Sequence, residues 1–182
     1  MTKEQTHDFR DGNGPVPSHI HTKGGGWVAD TANVHNSAYI GPDARVYGNA
    51  LVYDSARVYG NALVYDSAWV SGNARVHDSA RVYDNARVYG NARVHGDALV
   101  YDSARVYGNA RVKRGMYTST PTSITRSDGY MFTLQSDGSI VAGCRDFTPD
   151  EAKAHWGHPK HHKHRESMAI VTALNAIAAE RQ

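Results

Sequence analysis

The sequence predicts a mainly β protein in which a β-helix of six-residue repeats is followed by a small α+β cap. Three observations lead to this fold class. An aliphatic residue recurs at every sixth position, from Val28 to Val112, in fifteen consecutive repeats. A polar pair that favours turns separates each repeat from the next. The period stops at Gly115, where signals for hairpins and short helices replace it.

Each repeat is interpreted as a short strand followed by a corner. Ala stands two positions before the aliphatic residue, except in the first repeat, where Gly26 takes its place. Side chains two apart in a strand point to the same side, so Ala and Val face inward while Arg or Leu and Tyr or His face outward. A six-residue period matches neither an α-helix nor a coiled coil. Because Val and Ala fill a narrow core, no interior ligand cavity is expected.

The repeats and their opening segment, GGGWVADTANVHNSAYIGPDARVYGNA at residues 24–50, resemble the hexapeptide-repeat left-handed parallel β-helix proteins that phages and prophages encode. The resemblance covers about residues 24–115, and the cap also resembles C-terminal modules attached to such arrays. It implies a single left-handed parallel β-helix with three repeats per triangular coil, and therefore about five coils. The resemblance also implies that a phage encodes the protein, but it does not point to any particular reaction.

With eighteen residues per coil, equivalent outward positions stack into columns on three faces. The first face carries Tyr47, Tyr65, Tyr83 and Tyr101 beside Arg45, Leu63, Arg81 and Leu99. The second face carries Tyr53, Ser71, Tyr89 and Tyr107 beside Leu51, Trp69, Arg87 and Arg105. The third face carries Arg57, Arg75, Arg93 and Arg111 beside Tyr59, His77, His95 and Lys113. The tyrosines indicate cross-strand stabilisation or an oligomer interface. The arginines indicate either neutralisation by Asp residues at the corners or an anionic partner.

The two ends of the chain lack the period. Residues 1–25 are rich in Gly, Pro, Asp and His, which predicts a flexible arm that leads into the repeats. Trp27, at the start of the first repeat, is expected to cap the open core. The β-helix is then assigned to residues 26–115 and the cap to residues 116–182.

The cap contains turn and helix signals in sequence order. Asp-Gly pairs at residues 128–129 and 137–138 predict the turns of antiparallel hairpins. Thr148 and Glu151 form a capping-box pattern for a helix that ends near Trp156. Apolar residues at helical spacing predict a second helix over about residues 167–180.

Composition excludes several classes of protein. The 20 Lys and Arg residues against 18 Asp and Glu give a formal net charge of +2, too even for a histone-like binder. A single cysteine, Cys144, excludes an intrachain disulfide and a Cys-based zinc site, and burial in the fold is the expected role of this residue. The sequence shows neither a signal-peptide pattern nor a stretch of ~18 apolar residues. We therefore expect no membrane association and a cytoplasmic location in the infected host cell, with the virion as the alternative.

Cationic residues concentrate towards the C-terminal end of the third face and in the cap. A cleft at this junction is expected to hold phosphates on guanidinium groups and to stack a base on an indole. The candidate ligand-binding residues are Arg93, His95, Arg111, Lys113, Arg114, Arg126, Arg145, His155 and Trp156. The favoured function is non-catalytic binding or scaffolding, in which an anionic nucleotide-type ligand that serves as a host-defence signal is sequestered at this cleft or at an oligomer seam. Nucleic acid is not a favoured partner.

Two other functions stay open on the sequence. One is a structural virion or tail component. The other is a hexapeptide-repeat acyltransferase that uses coenzyme A, with His77 or His95 as general base, although the repeats lack the loop excursion that usually shapes the acceptor site. No cofactor, catalytic residue or metal ligand is predicted, because cofactor motifs are absent and the histidine-rich segment 155–164 is interpreted as a solvated basic loop, with anion binding or metal binding by this segment as the alternatives.

The apolar exterior of the repeats predicts a homo-oligomer, with a trimer favoured by the resemblance. Outward Tyr and Leu residues and Trp69 give more apolar surface than a monomer normally exposes. The last helix, around Val171 and Leu174, is a second candidate contact.

Overall fold

The computed structural model describes residues 5–161 and 163–180, and it shows a parallel β-solenoid of about five coils with a small cap that contains two helices. Strands pair in parallel with strands one coil away, as in the register Val46↔Val64 and Val70↔Val88. The eighteen-residue offset confirms three repeats per coil, and the arrangement fits the left-handed β-helix predicted above. Within the described residues, no helix is both long enough and apolar enough to cross a membrane.

Three parallel sheets form the prism, one for each face. The first face consists of Trp27–Ala29 (β3), Arg45–Val46 (β6), Leu63–Val64 (β9), Arg81–Val82 (β12), Leu99–Val100 (β15) and Met116–Tyr117 (β18). The second face consists of Asn33–Val34 (β4), Leu51–Val52 (β7), Trp69–Val70 (β10), Arg87–Val88 (β13) and Arg105–Val106 (β16). The third face consists of Tyr39–Ile40 (β5), Arg57–Val58 (β8), Arg75–Val76 (β11), Arg93–Val94 (β14) and Arg111–Val112 (β17).

The interior of the prism is a column of Val and Ala side chains. Almost all of them are completely buried, from Val28 to Val112. Corners between the strands adopt left-handed backbone, with φ of 66° at Gly48 and 58° at Asp54. Glycine and, to a lesser degree, Asp tolerate this conformation, which explains why the turn pairs begin with these residues. Core and corners therefore follow directly from the repeat.

The tyrosine column of the first face is a stabilising ladder. Tyr47, Tyr65 and Tyr83 stack with centroids 4.9 Å apart, and Tyr101 continues the stack at 5.0 Å. Burial is the main reason why the pKa of Tyr47 and of Tyr65 is raised to about 12. These rings therefore stay neutral and packed under physiological conditions.

The N-terminal segment is ordered, so the predicted flexible arm over residues 1–25 is wrong for its described part. Thr6–Asp8 (β1) and Pro15–Ile20 (β2) form an antiparallel hairpin that continues the first sheet beyond β3. The aromatic ring of Phe9, which is buried, stacks on Tyr47 at 4.9 Å. Side-chain packing against the first rung of the tyrosine ladder thus fixes a segment that has no repeat of its own.

Trp27 does not cap the core, contrary to expectation. Its ring lies at an outward position, stacked on His7 at 4.3 Å, because the inward position of β3 belongs to Val28. The chain instead crosses the open end at Gly24 and Gly26, where an added Cβ would lie 2.2 Å from the Ile40 carbonyl oxygen and 2.5 Å from Ile40 Cγ2, respectively. Glycines are required here because the backbone itself closes the end.

At the other end, the prism continues two residues past the predicted boundary at 115. Met116 pairs with Leu99 and Tyr117 pairs with Val100, so β18 adds a sixth strand to the first sheet at a seventeen-residue offset. Tyr117 takes the inward position and is buried over the last valines. An aromatic ring with a polar tip therefore replaces Val at the place where the core meets the cap.

The cap is an antiparallel sheet covered by two helices. Its strands are Ser123–Thr125 (β19), Met131–Leu134 (β20), Ile140–Ala142 (β21) and Arg145–Phe147 (β22), and its helices are Pro149–Gly157 (α1) and His164–Ala179 (α2). Thr148 and Glu151 form the predicted capping box of α1. Val171 and Leu174 are completely buried in the cap core. These two side chains are therefore not available to a second copy, while a contact through the rest of this helix, and oligomerisation itself, stay predictions.

Candidate anion-binding groove

A groove of about 200 Å³ lies between the third face and the cap. It brings together five of the nine predicted ligand-binding residues, which are Arg93, His95, Arg111, Lys113 and Arg145. The other residues that line it are His77, Val141, Gly143, Cys144 and Asp146. Residues distant in the sequence thus meet at one concave surface, which we call the junction groove.

The repeat places one wall of the junction groove. Arg93 and Arg111 are register partners on β14 and β17, and His95 and Lys113 follow two positions later on the same face. The opposite wall is formed by the turn between β21 and β22 and by Arg145, the first residue of β22. The Arg111 guanidinium donates a hydrogen bond to the Gly143 carbonyl oxygen and so joins the two walls.

The junction groove has a surplus of positive charge. Arg93, Arg111, Lys113 and Arg145 line it together with a single carboxylate, Asp146. Burial is the main reason why the pKa of Arg111 is lowered from its ordinary value, and repulsion by the nearby Arg93 lowers it further. An anionic ligand would relieve this repulsion.

Asp146 is already engaged by two basic residues. Its carboxylate forms ion pairs with Lys113, at 3.4 Å, and with Arg114. Arg114 also pairs with Asp137 at 3.2 Å and does not line the groove. Arg114 therefore holds the cap onto the prism, and its predicted role as a ligand contact is not supported by its position.

Two stacked imidazoles form the end of the groove that lies on the prism. The rings of His77 and His95 have centroids 5.1 Å apart, and the Asp78 carboxylate lies 3.1 Å from His77 Nδ1 and 3.9 Å from His95 Nδ1. Burial, followed by the charge of His77, lowers the pKa of His95. A hydrogen bond with His77 lowers the pKa of Asp78. His95 is therefore neutral at pH 7, while Asp78 is ionised.

These three residues also form a group that could hold a metal ion. Ligand atoms of His77, Asp78 and His95 all lie within 4.8 Å of one another. However, Arg93 and Lys113 line the same groove, and their charges oppose a divalent cation. The groove is therefore better suited to an anion.

Three of the predicted residues lie away from the junction groove. Arg126 is 8% exposed and donates hydrogen bonds to Asp128, at 2.7 and 2.9 Å, and to Ser167 at 2.9 Å. Trp156 is 2% exposed and packs on Phe132 and Phe147 in the cap core. A base cannot stack on Trp156, so this expectation is wrong. The ring serves the core because α1 packs it against the cap sheet.

His155 lies beside a second, shallower depression that it shares with Arg145. Its Nε2 atom is 3.2 Å from Nε2 of His161, in the turn after α1. Burial lowers the pKa of His155, with a further contribution from His161. His162, which belongs to the predicted basic loop, lies outside the described residues.

Sequence reasoning missed two features of the groove. Cys144 is exposed and lines the groove, contrary to its predicted burial, because it lies in the turn between β21 and β22. Asp78 was not recognised as the partner of both histidines. The position of Asp78 in the sequence could have indicated this role, because Asp78 directly follows His77 and lies one coil below Gly96. The Gly96 N–H donates a hydrogen bond to the Asp78 carboxylate at 3.0 Å.

Comparison with protein families supports the class of the protein. A family model described as YdcK Beta solenoid repeat matches residues 44–58, 56–72, 80–96 and 104–115, all within the prism. With the parallel pairing described above, this makes the chain a β-solenoid repeat protein. A comparison with curated proteins found no match, and neither did a comparison with solved structures.

Proposed function

We propose that the protein is a non-catalytic binding protein that holds an anionic ligand of nucleotide type in the junction groove, with the prism as its rigid support. The observation that carries the proposal is the surplus of cationic groups on one concave surface. Arg93 and Lys113 come from the prism, whereas Arg145 comes from the cap. A ligand that contacts both parts would also hold the cap in place.

Phosphate oxygens suit the geometry of these groups. Arginine forms bidentate, charge-assisted hydrogen bonds with phosphate, and lysine adds a point charge. Arg93 and Arg145 supply guanidinium groups from opposite walls, and the Lys113 side chain is 44% exposed, which leaves it accessible to a ligand. The neutral His95 offers a ring nitrogen for a further hydrogen bond.

The base of such a ligand needs an aromatic surface other than Trp156. A neighbouring depression of about 230 Å³ contains Tyr130, which is 36% exposed, together with Asn109. It shares Arg111 and Gly143 with the junction groove. We assign the base to this depression, where it would stack on the Tyr130 ring while the Asn109 amide bonds its edge.

In the phage setting that the resemblance implies, the ligand is a nucleotide signal of the host defence, and binding removes it from the host cytoplasm. Sequestration requires affinity and no chemistry. A structural role in the virion would use the same basic surface for packing. The two alternatives differ in whether the isolated chain binds a nucleotide.

Isothermal titration calorimetry of the full chain with cyclic dinucleotides and ADP-ribose tests the proposal. Each lost charge-assisted hydrogen bond is worth about 1.5–3 kcal/mol, so Arg93→Ala and Arg145→Ala should each weaken binding by about tenfold or more. Arg81→Ala is the matched control, because this exposed arginine lies on the first face. Tyr130→Ala should weaken nucleotide binding but leave pyrophosphate binding unchanged.

Other results would overturn the proposal. An absence of saturable binding, together with detection of the chain in purified virions, would favour the structural role. Turnover of acetyl coenzyme A that His95→Gln abolishes would favour the acyltransferase.

A further inference from the structure

One position interrupts an aromatic column on the second face. The outward positions 35, 53, 71, 89 and 107 carry His, Tyr, Ser, Tyr and Tyr, so Ser71 is the one residue of this column without a ring. The register Val52↔Val70 and Val70↔Val88 places Ser71 between Tyr53 and Tyr89. A serine here removes one ring from a regular stack.

The missing ring leaves a space of defined thickness. In the uninterrupted column of the first face, neighbouring rings are 4.9–5.0 Å apart. Tyr53 and Tyr89 lie two strand spacings apart, which is about 10 Å and fits one further planar ring between them. Tyr89 stacks on Tyr107 through its other face, at 5.4 Å, which fixes its orientation.

A depression of about 250 Å³ lies on the Tyr89 side of this gap. It is lined by Trp69, Ser71, Arg87, Tyr89 and Arg105, and we call it the Ser71 notch. The Trp69 ring is 39% exposed, an unusual fraction for the largest apolar side chain. The Arg87 guanidinium lies 5.4 Å from the centroid of that ring, and this cation–π contact holds the positive charge of Arg87 at the edge of the notch.

The charge of the notch is positive. Arg87 and Arg105 are both exposed, and the described residues that line the notch include no carboxylate. Pockets for drug-sized ligands occupy about 300–1,000 Å³, so the notch is suited to one small ring system.

We infer that the Ser71 notch binds a small planar aromatic compound that carries an anionic group, such as an aromatic carboxylate. The ring of the ligand takes the place of the missing side chain and stacks on Tyr89. Its anionic group meets the guanidinium groups of Arg87 and Arg105. The Ser71 hydroxyl, which occupies little space, keeps the position open. The site is separate from the junction groove and does not depend on its function.

Titration of the full chain with 2-naphthoate, followed by calorimetry and by ligand-detected NMR, tests the inference. Two further compounds separate the contribution of ring stacking from that of the negative charge. The first, 2-naphthamide, has the aromatic ring without the charge, and the second, cyclohexanecarboxylate, has the charge without the aromatic ring. Both should bind at least tenfold more weakly than 2-naphthoate. Arg105→Ala should weaken 2-naphthoate binding several-fold.

The decisive variant is Ser71→Tyr, which fills the notch with the ring that the column lacks. It should raise the melting temperature and abolish 2-naphthoate binding, while Ser71→Ala should retain binding. Arg145→Ala, in the junction groove, should also retain it. Unchanged binding in Ser71→Tyr would overturn the inference. A fall of the solution mass in Ser71→Tyr, measured by light scattering, would also overturn it, because a second copy of the chain would then be the occupant.

Discussion

The side-chain carbonyl oxygen of Gln135 accepts a hydrogen bond from the backbone N–H of Lys113 at 2.9 Å. Within the prism, the equivalent N–H groups bond to a carbonyl of the next coil, as His95 does with Val112 at 3.0 Å. The third face has no further coil after β17, so a side-chain amide takes the place of the peptide. Gln135 Nε2 completes the pairing by donating to the Arg111 carbonyl oxygen at 2.9 Å. The cap thus closes an edge that would otherwise be open.

Gln135→Leu should destabilise the protein although the new side chain is apolar and of similar size. The change leaves Lys113 N–H, the Arg111 carbonyl and the Tyr117 hydroxyl without their partner. Because unpaired buried polar groups cost about 1–3 kcal/mol each, the loss of these three partners should lower the free energy of unfolding by about 3 kcal/mol or more in urea titrations. Thr133→Val, which removes the 3.4 Å bond from Arg111 N–H and the 3.1 Å bond from the Ser123 hydroxyl, should cost less. Wild-type stability of Gln135→Leu would contradict the edge-closing role.

Insertion of a single residue directly after Val70 should prevent folding. Each later Val would move one position relative to its coil and turn outward, which exposes the inward column from Val76 onwards. Duplication of residues 62–79 is the control, because eighteen extra residues add one complete coil and keep the register. Circular dichroism melts should show a cooperative transition for the duplication and none for the single insertion. A single insertion with an unchanged melting temperature would refute the stacking register.

His95 should make stability dependent on pH. Its folded-state pKa lies below the ordinary 6.5, mainly through burial and the charges of His77, Lys113 and Arg111, with Asp78 acting in the opposite direction. Protonation therefore favours the unfolded chain. The contribution of His95 is complete above pH 6.5 and is lost as the pH falls through the folded-state pKa.

His95→Tyr replaces the imidazole by a phenol ring like the one that Tyr59 contributes to the same column. The variant should therefore lose less stability than the wild type as the pH falls from 7 to 5. His7 and His155 also have lowered pKa values, so a residual dependence should remain. Thermal melts across this range give the measurement. Replacement of the exposed His158 by Tyr is the control. An identical pH slope in His95→Tyr and in the wild type would exclude His95 as its source.

The sequence predicts those features of the fold that repeat and misses those that depend on a single tertiary contact. Val70 is placed inward by its neighbours one coil away, and the same spacing brings Arg93 and Arg111 together. Phe9 has no periodic neighbour, and its packing on Tyr47 becomes visible only in three dimensions. The burial of Trp156 is equally hard to predict from the sequence, because long-range packing decides which side of α1 meets the cap sheet. The packing of aromatic residues outside the repeat is therefore the least predictable part of the structure.

Asp146→Asn should strengthen anion binding and weaken the attachment of the cap. Asp146 is the carboxylate that lines the junction groove, so its neutralisation increases the surplus of positive charge there. The change also removes the ion pairs with Lys113 and Arg114. Partly exposed pairs contribute about 0–1 kcal/mol each, so the loss of these two pairs should lower the free energy of unfolding by no more than about 2 kcal/mol.

Asp137→Asn is the matched control for this change. It removes the other ion pair of Arg114, at 3.2 Å, but Asp137 does not line the junction groove. Both variants should lose a similar amount of stability, whereas Asp146→Asn alone should bind ADP-ribose several-fold more tightly at low salt. The gain should shrink as the ionic strength rises, because salt screens the interaction of exposed charges. Equal affinity in both variants at low salt would show that the charge of the junction groove does not govern binding.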